Sequence, residues 1–371
     1  MRKISLLLLL LCLGCKDIPS GPPSAQVDWI IGRWVGKDTP GAAVLVVKSG
    51  KIVFEKGYGL ANLKTREKIS ADTVFDLASV SKQFTAMAIL ILYDHGKLGL
   101  DDPLTKYFPE FAANGETITI RQLLNNVSGL PDYETLYNES GKISTNYPRS
   151  NSEPRDPYEP TTRDALGLLA EQSVLHFTPG EEFEYSDSCY VILSQIIERL
   201  SNETYSAFLK QNIFDPLGMN ETVVFDQTKP EIKNRAISYA RDGDLFKDID
   251  YTPLNLIYGD GNINTSLRDM SLWMAGLDSS QLVRRETQEL AFTSGKLADG
   301  ELTGYGFGWG TGNSGATRIV AHTGSWVGFR NAFQYYPDLH SGVVILSNSA
   351  QFDPEAEHQL AIQIAHIYGL P

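Results

Sequence analysis

Residues 75–86 read FDLASVSKQFTA, two serines ahead of a lysine and then a run of apolar residues. From Ser79 the spacing becomes helical. Phe84, Met87, Ala88, Ile91 and Leu92 recur on one face, and Gly96 is placed to end the helix. If the helix begins near Ser79, then Ser79 and Lys82, three residues apart, share a face. A serine hydroxyl needs a base to become a nucleophile. A lysine serves only while its amine is neutral, a state favoured by burial and by the positive end of a helix. The same helix end points backbone N–H groups at an oxyanion formed beside Ser79. One turn of chain thus offers nucleophile, base and part of an oxyanion hole. The other reading of the same four residues is a capping serine followed by a surface lysine. Ser81, with Phe84 three residues on, has no base of its own and reads as a bystander.

Strand patterns lie on either side of this turn. AAVLVVKSGKIVFEKGYGL (42–60) reads as two strands joined at Ser49-Gly50, the first apolar enough to be buried on both faces. Near Gly304 strand signals return in TGYGFGW, TRIVAHT, NAFQYYP and SGVVILSNS. Asp353-Pro354 then opens a last helix, Asp suiting the N-cap and Pro the first helical position. Between them IRQLLNNV, TRDALGLLAEQ, YVILSQIIERLSNETYSAFLKQNIF and SLRDMSLWMAGL are helical in period. Residues 138–162 form a polar, proline-containing loop, readable as a lid or as a plain insertion. Both chain ends therefore complete one sheet lobe (27–72 and 295–371), and the middle (73–294) forms a mostly helical lobe with a cleft between them.

The 371 residues, 42% hydrophobic and 21% charged, are those of an ordinary globular chain. A net charge of −13 with no basic stripe argues against a nucleic-acid partner. The start, MRKISLLLLLLCLGCKD, has a positive n-region and an apolar run too short to span a bilayer comfortably. Residues 1–15 read as a secretory signal ending in a lipobox, with Cys15 the lipidated residue and 16–26 a tether. Cys12 stands where such a box usually has Leu, and simple secretion is the alternative. Cys189 alone remains in the folded body and reads as a core residue. There is no Gly-x-Ser-x-Gly elbow, no tight metal-ligand cluster and no phosphate loop. No cofactor and no metal are expected.

Three further segments join FDLASVSK: LLNNVSGLPDY, EFEYSDSCY with Tyr185-Ser186-Asp187, and IVAHTGSWVGF with His322-Thr323-Gly324. In this order and spacing the chain resembles the serine β-lactamase and penicillin-binding protein family, near the class C β-lactamases and related esterases and D-peptidases. FTPGEEFEYS, DPLGMNET, GYGFGW and VVILSNS extend the resemblance from about residue 28 to the C-terminus. It implies an α/β (α+β) fold of the β-lactamase/transpeptidase kind, with an antiparallel sheet flanked by helices and a helical lobe. It also implies that Ser79 is acylated, that Lys82 deprotonates it, and that Tyr185 shares the base role. The N–H groups of Ser79 and Ser325 would form the oxyanion hole, and Asp187, His322, Thr323 and Gly324 would lie beside the substrate. Beside Lys82 the Tyr185 phenol is expected to ionise more easily than usual; the plain alternative is a core tyrosine.

The chain departs from the family pattern at Asp187, where Asn is usual, at His322, where Lys is common, and at Asn126, where His is frequent. A carboxylate at Asp187 would ion-pair with Lys82, raise its pKa and repel anionic substrates. A neutral imidazole holds a carboxylate less well than a fixed cation. The expected function is a serine hydrolase that forms an acyl-enzyme on ester, amide or β-lactam bonds of a small-molecule or peptide substrate. The alternative is a non-catalytic or slow-turnover penicillin-binding-like envelope protein. Either reading allows attachment to the membrane through a lipid on Cys15.

Overall fold

The computed structural model describes residues 18–144, 146–228, 230–352 and 354–371. The proposed signal, Cys15 and the Asp353 cap lie outside them, as does the start of the tether. The rest of the expected tether is partly helical. The first helix spans Pro23–Ile31, with Pro23 at a first-turn position that loses no hydrogen bond.

A six-stranded antiparallel sheet is the frame. Across it run Gly310–Ser314, Thr317–Trp326, Phe329–Tyr336, Ser341–Ser347, Ala42–Lys48 and Lys51–Tyr58. The first and last thirds of the chain meet at its centre, where Val44 faces Ile345 on one side and Lys56 on the other. Ala42–Val47 is apolar throughout because each face has its own core. Ala43, Leu45, Phe333, Val344 and Leu346 turn towards the central helices. Ala42, Val44, Val46, Val343 and Ile345 pack with Val27, Ile31, Leu360 and Ile364 of the two terminal helices. The period of two along each strand sorts the side chains between these cores.

The middle block is less helical than its sequence suggests. It contains a three-stranded sheet of Val74–Asp76, Ile263–Ser266 and Val223–Val224, and a hairpin of Tyr239–Asp242 with Leu245–Asp248. These strands are two to four residues long, too short for alternation to register. At the lobe's centre the Lys82–Asp94 helix is buried from Lys82 to Leu92, with Phe84 stacked on Trp273 at 4.3 Å. A helix enclosed on all sides is apolar all round. The described residues of 141–144 and 146–161 are irregular but tied down. Arg149 pairs with Asp156 at 2.5 Å and lies over the Tyr251 ring, and Asn151 donates to Asp250.

TGYGFGW is a loop and not a strand. Its aromatic residues Tyr305, Phe307 and Trp309 are buried, which gave it a strand-like pattern. Gly306 and Gly308 meet other backbone instead. A Cβ on Gly308, at φ +77°, would lie 2.6 Å from the Lys82 carbonyl oxygen.

The lobes are joined at Asn348. Its Nδ2 donates to the carbonyls of Leu60, Ala61 and Ile237, and its Oδ1 accepts from Gly41 N–H at 2.8 Å. Asn348→Ala strands several buried backbone groups and is expected to cost about 2–4 kcal/mol. Urea unfolding measures it, and a loss below about 0.5 kcal/mol would refute this account of the junction.

Candidate active site

The turn that carries Ser79 is set by its neighbours. Val74–Asp76 pairs with Ile263–Ser266, and Leu77 N–H continues the contact to Ile263 O at 2.8 Å. Asp76 Oδ1 accepts from Ala78 N–H and holds Ala78 at φ +50°, a left-handed conformation that alanine rarely takes. A 3₁₀ turn, Ala78–Ser81, follows, and the α-helix proper starts only at Lys82. Ser81 is more than a bystander. Its buried hydroxyl accepts from Ile263 N–H at 3.2 Å and so fastens the turn to the neighbouring strand.

Strand Thr317–Trp326 presses on this turn from the sheet side. A Cβ on Gly324 would lie 2.3 Å from Leu77 O and 3.2 Å from Ser79 N. Only glycine lets the strand come so close, and this brings Ser325 to the cleft beside Ser79. The cleft lies between Ala78, Ser79, Tyr133, Glu134, Asp187, Asp260, Ser325 and Trp326, among others.

Lys82 lies beneath the cleft with no exposed surface. Its ammonium donates to Ser79 Oγ at 3.0 Å, to Asp187 Oδ1 at 2.5 Å and to the Asp260 backbone carbonyl at 2.9 Å. Burial favours the neutral amine, but the charges of Asp187 and Asp260 and the Asp187 hydrogen bond outweigh it, so the pKa rises. The expectation of a neutral lysine is therefore corrected: the resting site holds an ammonium. Asp187 accounts for it. As the first residue of the helix Asp187–Ser201 it sits where a negative charge is favoured, facing the lysine.

Tyr185 is placed beside both groups. Its ring lies 5.0 Å from Lys82 Nζ, and the Ser79 side chain is near enough to its phenol to pull the phenol's pKa down. The ring is 40% exposed at the cleft mouth. Yet burial of the phenol and the Asp187 charge push its pKa well above 10. The expected easier ionisation is also corrected, for the same reason: Asp187 cancels the positive field that Lys82 supplies. His322 contacts the Tyr185 ring at 6.0 Å. Its Nδ1 lies 2.6 Å from Thr323 O, so that nitrogen carries the proton, and Nε2 accepts from Tyr305 Oη at 2.9 Å. Burial and Lys82 lower its pKa to about 4, so it is neutral, as its sequence reading expects. Cys189 is a core residue beside Ser128, its thiol pushed up to about 12 by burial.

The structure thus places Ser79, Lys82, Tyr185, Asp187, His322, Gly324 and Ser325 around one cleft, with Thr323 fixing the imidazole. Sequence reasoning missed Tyr305, Asp260, Asp132, Tyr133 and Glu134. Tyr133 and Glu134 begin a helix just after LLNNVSGL, and that Asp-Tyr-Glu triplet was the available signal. Asn126, at φ +57°, accepts from Ser186 N–H through Oδ1 at 3.3 Å and so holds the turn that carries Tyr185.

The β-lactamase family profile matches residues 28–366. The chain belongs to this family, that of the serine β-lactamases and penicillin-binding proteins. It is 33% identical over 345 residues to penicillin-binding protein 4* of Bacillus subtilis, which covers 88% of this chain and 72% of that protein. To protein flp of Staphylococcus aureus it is 32% identical, over 92% of this chain and 66% of that protein. Among solved structures, the octameric penicillin-binding protein homologue of Pyrococcus abyssi superposes with a TM-score of 0.75 at 28% identity, over 94% of this chain and 76% of that one. The D-amino acid amidase of Ochrobactrum anthropi has the same fold, with a TM-score of 0.76 at 20% identity, over 93% of this chain and 98% of that one.

Gly324→Ala forces the sheet strand off the nucleophile turn. It is expected to cost about 1–3 kcal/mol of stability and to cut covalent labelling of Ser79 by about a hundredfold, since misplacement by an ångström has that effect. A variant that labels at the parental rate contradicts the close-approach argument.

Proposed function

We propose that this protein is a serine acyl hydrolase working through an ester on Ser79. The observation that carries the reading is the contact of a wholly buried lysine with Ser79 Oγ at 3.0 Å, with the Tyr185 ring 5.0 Å from the same ammonium. Ser79 Oγ attacks the substrate carbonyl carbon, and the electron pair of the carbonyl moves onto oxygen. The N–H groups of Ser79 and Ser325 hold that oxyanion. In the basic form, in which Lys82 has released its own proton to solvent, the free amine takes the serine proton, with Tyr185 alongside. The same groups return a proton to the leaving alkoxide or amine. Water then attacks the acyl-enzyme and frees Ser79.

Esters and amides fit this site better than β-lactams. The cleft lining includes Glu134, Asp187 and Asp260 and no cation, and His322 is neutral, so nothing there balances an anionic substrate. The 2.5 Å Lys82–Asp187 pair also supports the second reading, a penicillin-binding-like envelope protein that acylates slowly. In either case export and lipid anchoring through Cys15 remain part of the proposal. Among the described residues no helix is long and apolar enough to cross a membrane.

A fluorophosphonate probe is expected to label Ser79, and Ser79→Ala to abolish both the label and nitrophenyl ester turnover. Label on another residue would remove the reading. Turnover of the ester well above that of nitrocefin separates an esterase from a β-lactamase, and labelling without turnover selects the slow-acylating alternative.

The charge on Lys82 also sets a pH dependence. Its pKa is raised, so the basic form gains population as pH rises, and kcat/KM is expected to climb on the alkaline side. Asp187→Asn removes the nearest counter-charge and should move that rise about one to three units lower. It should also raise β-lactam acylation. A pH–rate profile that does not move, or moves upward, rejects the electrostatic argument.

A further inference from the structure

Lys82 has three N–H donors, and all three are used, by Ser79 Oγ, Asp187 Oδ1 and the Asp260 backbone carbonyl. It has none left for the other carboxylates above it. Asp260 is only 7% exposed; its Oδ2 accepts from Tyr133 Oη at 3.0 Å, and its Oδ1 has no partner. Among the described residues the Glu134 carboxylate accepts no hydrogen bond either. Asp132 fixes this geometry from behind, one oxygen accepting from Glu134 N–H and the other from Asp187 N–H, each at 2.9 Å. The cleft beside the nucleophile therefore has surplus acceptors in a buried, acidic wall. A buried carboxylate oxygen without a donor is costly, and an arriving donor removes that cost.

We propose that Glu134, Asp187 and Asp260 form a subsite for a protonated primary amine on the acyl half of the substrate, which makes amino-acyl esters or amides with a free amine the preferred class. This rests on the serine-hydrolase reading and deepens it. The three carboxylates each bring one oxygen within 4.8 Å of the others. Three acceptors around one tetrahedral ammonium, each about 2.9 Å from nitrogen, have about that spread. A divalent ion needs shorter bonds, about 2.0–2.6 Å, and would share Asp187 with a lysine ammonium 2.5 Å away. Burial and mutual repulsion hold Glu134 up to about 9 and Asp260 up to about 7, so the empty wall keeps protons that an ammonium displaces.

The test compares alanine p-nitroanilide with N-acetylalanine p-nitroanilide, in both enantiomers, at pH 7. The free amine is expected to be favoured at least about tenfold in kcat/KM, and Glu134→Gln to bring that ratio towards one. Inhibition of nitrophenyl ester turnover by alaninamide against N-acetylalaninamide reads the same preference on the unaltered protein, should the variant misfold or the anilides be slow. Equal handling of the two forms by both readouts overturns the subsite. So does a ratio that Glu134→Gln leaves intact. Equal stimulation of both substrates by millimolar Mg²⁺ or Ca²⁺, lost in Glu134→Gln, overturns it in favour of a metal site. Fluorophosphonate labelling keeps the two proposals apart. If Ser79 takes no label, the hydrolase reading has failed; if it labels and amine and acetamide behave alike, the subsite alone has failed.

Discussion

A single ammonium with no access to solvent organises the site. Lys82 ties the nucleophile turn to the start of the Asp187–Ser201 helix and to the backbone at Asp260, three segments far apart in sequence. An ion so deeply buried is tolerated only when its hydrogen bonds are complete and its charge is answered. Asp187 answers it. The result is a well-fixed serine beside a lysine that holds its proton, so positional precision has been gained and basicity given up. Asp260 shares the consequence, because its charge adds to the hold on that proton.

The sheet and the helical block approach more closely than side chains normally permit. Gly324 against Leu77 and Gly308 against Lys82 are contacts of backbone with backbone, one on each side of the nucleophile helix start. They leave the turn little freedom to move, and Ala78 keeps its left-handed conformation inside that vice. The floor of the site is therefore rigid, and variation in chemistry falls to the cleft wall, where Glu134, Asp187 and His322 stand.

Much of this arrangement is legible in the sequence. The pairing of Ser79 with Lys82 follows from helical spacing, and the four long C-terminal and N-terminal strand patterns that form the sheet's centre follow from apolar runs bounded by turns. Where reading failed, two effects competed. GYGFGW alternates glycine with aromatic residues like a strand, yet the alternation serves close backbone contact and not a ladder. The charge of Lys82 and the neutrality of Tyr185 depend on Asp187, 105 positions away from the lysine. The ion pair and the raised lysine pKa were legible at Asp187; that burial and the same carboxylate together keep Tyr185 protonated was not. Asp260 belongs to no spacing rule at all; only the fold brings it to the cleft beside Ser79.

The sheet's central seam joins residues 42–47 to residues 342–347, so its two halves are separated by almost the whole chain. A ribosome releases the second half last. Until then the Ala42–Tyr58 hairpin has an uncovered apolar edge, and the helical block has no sheet to lie on. Closing so large a loop is entropically slow. The polypeptide thus stays incomplete, and open to any chaperone or carrier that binds unfolded chains, through nearly all of its synthesis.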